Sequence, residues 1–314
     1  MSVTAAPSLL DRFRGCLLGQ AVGDALGAPF ETMPASAIYY DFGSARKILS
    51  APPVKQLEYT DDTQMMIGVA ETLVKHGRID PDALMQAFVK NFDPARAYGP
   101  GTHQILDTAA AGGDWLALSA TIFPGGSYGN GAAMRVAPIG LIFRDDLDRV
   151  EREAELSALL THSHPIGLDG ARLMAIAVAI VTRDGELDVA AFYGELRRRA
   201  QSDEFRAALD TVANLRVDDY VGILGTSIEA HRSVPTALAC FASHPNSFSD
   251  VISRAIGLGG DVDTLAAMAG ALSGSRLGVQ AIPPHLLSKL EDGPKGRDYL
   301  DALSQRLFAL VDAG

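Results

Sequence analysis

The chain has 314 residues, 47% of them hydrophobic and 21% charged, with a formal net charge of −11. That length admits two domains, and the composition is that of a globular protein with a sizeable core. The acidic balance argues against a general nucleic-acid binder, and the two cysteines, Cys16 and Cys240, with no C-x-x-C spacing, exclude a disulfide framework and a Cys-type zinc site.

Apolar positions at three- and four-residue spacing predict helices over 9–28, 63–76, 81–92, 101–111, 147–161, 167–182, 187–200, 203–213, 218–231, 234–242, 248–256, 264–277 and 296–312. Gly and Pro clusters separate them: APP at 51, YGPG at 98, FPGGSYGNG at 123 and IPP at 282. The best strand candidate is AIYYDF at 37–42, and an isolated strand cannot stand alone. The expected fold is all-α, a multi-helix orthogonal bundle. Asp11, Arg12 and Arg14 precede any long apolar stretch, so no secretory signal is expected. The longest apolar run, 173–181, is far short of the ~20 residues that span a bilayer. A cytoplasmic monomer with no membrane or direct nucleic-acid partner is the expectation.

Within the first helix Gly15, Gly19, Gly23 and Gly27 recur every fourth residue, as do Gly270, Gly274 and Gly278 near the end. Glycine costs about 1 kcal/mol relative to alanine inside a helix, so such a stripe needs a reason. Each stripe forms a smooth groove on one helix face, and the two helices are expected to pack closely. The alternative is that each groove accommodates bulky neighbours.

Two acidic stretches open helices. YTDDTQM at 59–65 sets Thr60, Asp61 and Asp62 before an apolar run; GLGGDVDTLAAMAG at 257–270 does the same with Asp261, Asp263 and Thr264. Helix capping explains one or two acids per helix start. It explains doublets less well, because the second acid adds repulsion. Oxygen-only donors suit hard cations, Mg²⁺, Mn²⁺ or Ca²⁺, and four carboxylates balance two divalent ions. A site shared by stretches so far apart makes residues 1–314 one domain.

PGGSYGNGAAMR at 124–135 has Gly125, Gly126, Gly129 and Gly131, which allow a nest of N–H groups for phosphate oxygens; a plain connecting loop is the other reading. THSHP at 161–165 holds His162 and His164. Arg135 holds an anion or pairs with an acid, and the sequence does not decide between these.

GCLLGQAVGDALGAPFE (15–31), YTDDTQM, GSYGNGAAMRVAPIGL (126–141), LTHSHPIG (160–167) and LGGDVDTLAAMAGALSG (258–274) occur in the order found in the ADP-ribosylglycohydrolase family, which this chain resembles over nearly its whole length. The resemblance implies a compact all-α domain with two Mg²⁺ ions, or Mn²⁺, at helix N-termini. It implies Thr60, Asp61, Asp62, Asp261, Asp263 and Thr264 as metal ligands, and Glu31 and Asp62 as catalytic groups. Without the resemblance Glu31 reads as an ordinary surface acid. Ser127, Tyr128, Gly129 and Asn130, with Gly126, match residues that contact the diphosphate and nucleoside of ADP-ribose; Phe123 would supply a second aromatic face. His162 matches a ribose or phosphate contact, His164 is left as structural, and Tyr98 and Gly99 match a loop lining the same cleft. Val262 and Ala132 depart from the family's usual Thr and Gly.

The resemblance implies hydrolysis at C1″ of ADP-ribose on protein side chains, with ADP-ribosylated proteins or ADP-ribose derivatives as partners. YTDD and SVPTALACF (233–241) look closer to the branch acting on serine-linked ADP-ribose, poly(ADP-ribose) or O-acetyl-ADP-ribose. An arginine-specific hydrolase, a non-catalytic ADP-ribose reader and a two-metal phosphoesterase or pyrophosphatase are the alternatives.

Overall fold

In the computed structural model, residues 6–214 and 223–312 are described. Helix α1 (Leu9–Gly27) starts at Ser8, whose Oγ accepts from the Asp11 backbone N–H at 3.1 Å. A 3₁₀ turn (Ala28–Phe30) leads to α2 (Ala35–Phe42), α3 (Ala45–Ser50), α4 (Asp61–His76), α5 (Pro81–Asn91), α6 (Pro100–Ala110) and α7 (Trp115–Thr121). After a 3₁₀ segment (Asn130–Arg135) come α8 (Ala137–Ile142), α9 (Leu147–Leu159), α10 (Pro165–Thr182), α11 (Val189–Arg199) and α12 (Asp203–Asn214). The chain closes with α13 (Ala230–Ser243), α14 (Phe248–Gly257), α15 (Val262–Leu277), α16 (Pro284–Lys289) and α17 (Arg297–Asp312).

The fold is all-α. Among the described residues only isolated bridges pair extended backbone: Pro34 with Gly259, Leu57 with Leu290, and Gly129 with Glu229. Residues 37–42 are therefore a correction, being helix α2 rather than a strand. Ile38 and Phe42, four apart, turn inward, and Phe42 packs edge-on to Phe30 at 5.1 Å. Tyr39 and Tyr40, whose β-propensity suggested a strand, face solvent. Gly43, at φ +82°, ends the helix.

The helix expected over 218–231 falls partly on residues 218–222, outside the described residues. Over 224–229 the chain is irregular, and α13 begins only at Ala230. The short α3, α7, α8 and α16 carry too few turns to show a period in sequence.

Helices α1 and α15 form the centre and are buried on nearly every face, so neither has a polar side. They run antiparallel in backbone contact. A Cβ on Gly15 would meet the Gly274 carbonyl oxygen at 2.3 Å, one on Gly19 the Gly270 oxygen at 2.6 Å, and one on Gly27 the Asp263 Cα at 2.5 Å. The close pairing expected from the two stripes is thus present. Antiparallel register sets the C-terminus of α1 beside the N-terminus of α15, which brings residues 28–33 to residues 259–263. Helix α10 is the one described helix long and apolar enough to cross a membrane, and 78% of it is buried inside the bundle, against α8, α9 and α15.

Candidate active site

Helix α4 starts where α1 tells it to. Asp24, fully buried on α1, accepts from Thr60 N (3.0 Å), Thr60 Oγ1 (2.9 Å), Thr63 N (3.0 Å) and Thr63 Oγ1 (2.6 Å). Gln20, one turn earlier, donates through Nε2 to the Met134 carbonyl at 2.7 Å and the Asp62 carbonyl at 3.3 Å. These bonds fix Asp61 and Asp62 in the first turn of α4, not ahead of it, and Thr60 is the N-cap.

Helix α15 starts at a glycine turn. Gly259 and Gly260 have φ of +71° and +84°, which non-glycine residues rarely adopt. Thr32 N donates to Gly260 O (2.8 Å) and Gly260 N to Met33 O (2.9 Å), pinning the Glu31 segment to the turn. Asp261 N donates to Thr226 O at 2.8 Å. The Asp261 side chain does not cap α15; its Oδ2 accepts from Asn130 Nδ2 at 2.5 Å.

The two starts face one cleft of ≈ 350 Å³, lined by Glu31, Asp61, Asp62, Asp261, Asp263 and Thr264 on one side. Gly99, Phe123, Ser127, Gly129, Asn130 and His162 form the other. Thr60, Tyr98, Gly126 and Tyr128 are not in its wall. Thr60 lies just behind it. The Tyr98 hydroxyl donates to Gln64 Oε1 at 2.9 Å and its ring packs on Phe92, so it supports the wall from within. Gly126 turns the loop at φ +87° against Ser163. Tyr128 stands 47% exposed with its ring edge-on to His164.

The donor set fits a hard cation. Carboxylate oxygens of Glu31, Asp261 and Asp263 lie within 4.8 Å of one another. Asp62 Oδ2 and Asp263 Oδ1 are buried without a hydrogen-bond partner, which is costly unless a positive charge meets them. Among the described residues no Lys or Arg lines the cleft. Burial, then the charge of Asp24, raises Asp61 and Asp62 well above the usual carboxylate range. Burial and then Asp261 push Asp263 up to about 9 and raise Glu31 more modestly. Repulsion of this kind among buried acids is what divalent ions relieve.

Of the four glycines expected to form a nest, two have their N–H engaged: Gly126 N donates to Phe123 O and Gly129 N to Ser127 Oγ, and the neighbouring Asn130 N donates to Ile228 O. The loop also offers close approach: a Cβ on Gly131 would meet the His162 ring at 2.8 Å. His162 Nδ1 lies 2.7 Å from Thr161 Oγ1, which accepts from Arg135 Nη1 at 2.8 Å. Arg135 occupies one lone pair of that hydroxyl, and Thr161 links it to the His162 ring. Burial, then Arg135, holds His162 down to about 3, so it is neutral. Arg135 itself is fully buried and also donates to Ser157 O at 2.6 Å. It holds the protein's own carbonyls and Thr161, not an anion or an acid. His164 caps α10, accepting from Ile166 N at 3.2 Å.

Sequence reasoning missed Asp24, Gln20, Thr161 and the segment 226–229, which bonds both to Asp261 and to the glycine loop. An acid inside an otherwise apolar, glycine-striped helix was the available signal for Asp24, since such a group is buried only with partners.

Fold and cleft together set an acidic wall whose donors suit a hard cation opposite a wall of Phe123, Ser127, Gly129, Asn130 and His162. Residues 5–314 match the family model described as ADP-ribosylglycohydrolase. ADP-ribosylhydrolase ARH3 of Danio rerio is 31% identical over 350 residues, covering 98% of this chain and 93% of its own length. The Homo sapiens ARH3 is also 31% identical, over 95% of this chain and 93% of its own. A solved structure, an ADP-ribosylglycohydrolase-related protein complex, superposes with a TM-score of 0.74 at 26% identity over 96% of this chain and 98% of that one. The chain belongs to the ADP-ribosylglycohydrolase family, a membership that supports a glycosidase-type hydrolase acting on ADP-ribosyl groups.

Proposed function

We propose that this protein is a Mg²⁺- or Mn²⁺-dependent ADP-ribosylhydrolase that cleaves at C1″ of ADP-ribose joined to serine, to a further ADP-ribose unit or to acetate. The observation that carries the reading is the meeting of both acidic helix starts and Glu31 in the cleft that Ser127, Asn130 and His162 also line. The serine and polymer preference rests on the YTDD and SVPTALACF sequences.

Thr60, Asp61, Asp62, Asp261, Asp263 and Thr264 would hold two ions, four carboxylates matching four positive charges. Bound there, the ions supply Lewis acidity for orienting ribose hydroxyls and activating water. The chain's own groups do the rest. Glu31 sits at the exposed lip, pinned through Thr32 and Met33, where its raised carboxyl can hand a proton from Oε to the departing oxygen. His162 offers the Nε2 of a neutral ring to a ribose or phosphate group. Asn130 spends Nδ2 on Asp261 and Ser233, which leaves Oδ1 as its acceptor. Phe123 and Tyr128, both partly exposed, give an adenine two aromatic faces.

The test is release of ADP-ribose from serine-linked, arginine-linked and polymeric substrates in parallel, with and without EDTA. Free ADP-ribose from the serine-linked or polymeric substrate, lost in EDTA, is the expected result. AMP as product would point to phosphoester cleavage, and binding without release to a reader.

A further inference from the structure

The hydroxyl of Thr60 has one proton and two lone pairs. Its proton goes to Asp24 Oδ1 at 2.9 Å, and one lone pair accepts the Asp62 backbone N–H at 3.3 Å. One lone pair is left. Asp24 is acceptor-only and fully buried, so the hydroxyl proton cannot turn toward the cleft while Asp24 is ionised. The second half-site is built differently. Thr264 Oγ1 donates to Asp62 Oδ1 at 3.4 Å, and among the described residues its carboxylate partners, Asp62 and Asp261, both line the cleft.

We propose that Asp24 is a positioning residue that fixes Thr60 as a cation ligand by taking its hydroxyl proton, so that the threonine of the α4 half is set from outside the cleft and Thr264 of the α15 half is not. The inference rests on the metal-dependent reading above. Four donors converge on the two Asp24 oxygens, two from backbone N–H groups and two from hydroxyls. An amide in its place would set an N–H₂ against one of these donors, and turned toward Thr60 it would consume the lone pair reserved for the ion. The negative charge of Asp24 also polarises the hydroxyl, making its oxygen a better donor to a cation. The competing role is purely structural, a helix start held together from α1. Thr63 separates the two, because it shares the anchoring but has no part in orienting Thr60.

The experiment measures Mn²⁺ dissociation constants by calorimetry, and thermal melts without metal, on the full chain. Asp24→Asn is expected to raise the Mn²⁺ constant about 10- to 100-fold. Thr63→Ala should lower the melting temperature yet leave the constant near wild type. In a Thr60→Ala background Asp24→Asn should cost no further affinity. Equal binding by folded Asp24→Asn and wild type overturns the proposal, as does a Thr63→Ala loss as large as that of Asp24→Asn. A wild type that binds no Mn²⁺ defeats the metal reading itself, a result distinct from these. Should Asp24→Asn not fold, Asp24→Ser takes its place. Independently of any variant, the Thr60 hydroxyl proton of the wild type should stay slow to exchange in NMR when Mg²⁺ is added, and its loss would refute the assignment.

Discussion

A Cβ on Gly23 would lie 2.1 Å from the carbonyl oxygen of Ala266. No side chain gives way there, because the obstacle is backbone of the neighbouring central helix. Gly23→Ala should therefore destabilise the protein by about 1–3 kcal/mol despite alanine's better helix propensity. Gly194, in α11 with open space around it, is the control; Gly194→Ala should stabilise by about 0.5–1 kcal/mol. Urea denaturation of both variants checks the pair, and equal effects would contradict the close α1–α15 contact.

Asp263 has a buried oxygen with no partner, and burial with Asp261 holds its carboxyl high. Asp263→Asn should leave metal-free stability unchanged or higher, because it removes a repelled charge. The same variant should lose most of the stabilisation that Mn²⁺ gives, and turnover should fall more than the roughly 10- to 100-fold typical of an outer partner. Melting curves with and without Mn²⁺, alongside an activity assay, test both halves; a variant as metal-responsive as wild type would remove Asp263 from the ligand set.

The raised carboxylates also set a pH dependence. An aspartate whose folded pKa exceeds its unfolded value near 3.9 binds more protons folded than unfolded. Its contribution is present at low pH and lost as pH rises through the window from about 4 to the folded value, about 9 for Asp263. In EDTA, stability should decline from about pH 5 to about pH 8.5, and added Mg²⁺ or Mn²⁺ should flatten the decline. A metal-free stability that rises across that range would contradict the assigned crowding of acids.

Tyr128 contributes to the fold through its backbone, whose carbonyl accepts from Ala230 N at 3.0 Å, while its ring stands half in solvent. Tyr128→Ala should weaken ADP-ribose binding by about 1–3 kcal/mol with little change in melting temperature. Calorimetry with ADP-ribose checks this; an unchanged dissociation constant would remove adenine stacking from Tyr128.

The long helices were legible because each carries several periods of apolar spacing, and the α1–α15 contact was legible because glycine at every fourth position has few other uses. Residues 37–42 were misread because two adjacent tyrosines look like strand, whereas Ile38 and Phe42 alone face the core. The acid clusters stood out by composition, and the structure gathers them from both ends of the chain into one wall. Asp24 did not stand out, since its partners Thr60 and Thr63 lie on a different helix and only the packing joins them. The glycine loop suggested free N–H groups, but Gly126 and Gly129 spend theirs on Phe123 and Ser127 within the loop, and the next residue, Asn130, bonds to Ile228, remote in sequence. Local chemistry was readable; the hydrogen bonds that cross between helices were not.

The α1–α15 interlock bears on how the polypeptide matures during synthesis. The first helix emerges early with its glycine face uncovered, and its mate, ending at Leu277, is translated late. An intermediate that stops short of Asp261 holds only the α4 half of the acidic wall, so the site assembles only once α15 has been translated.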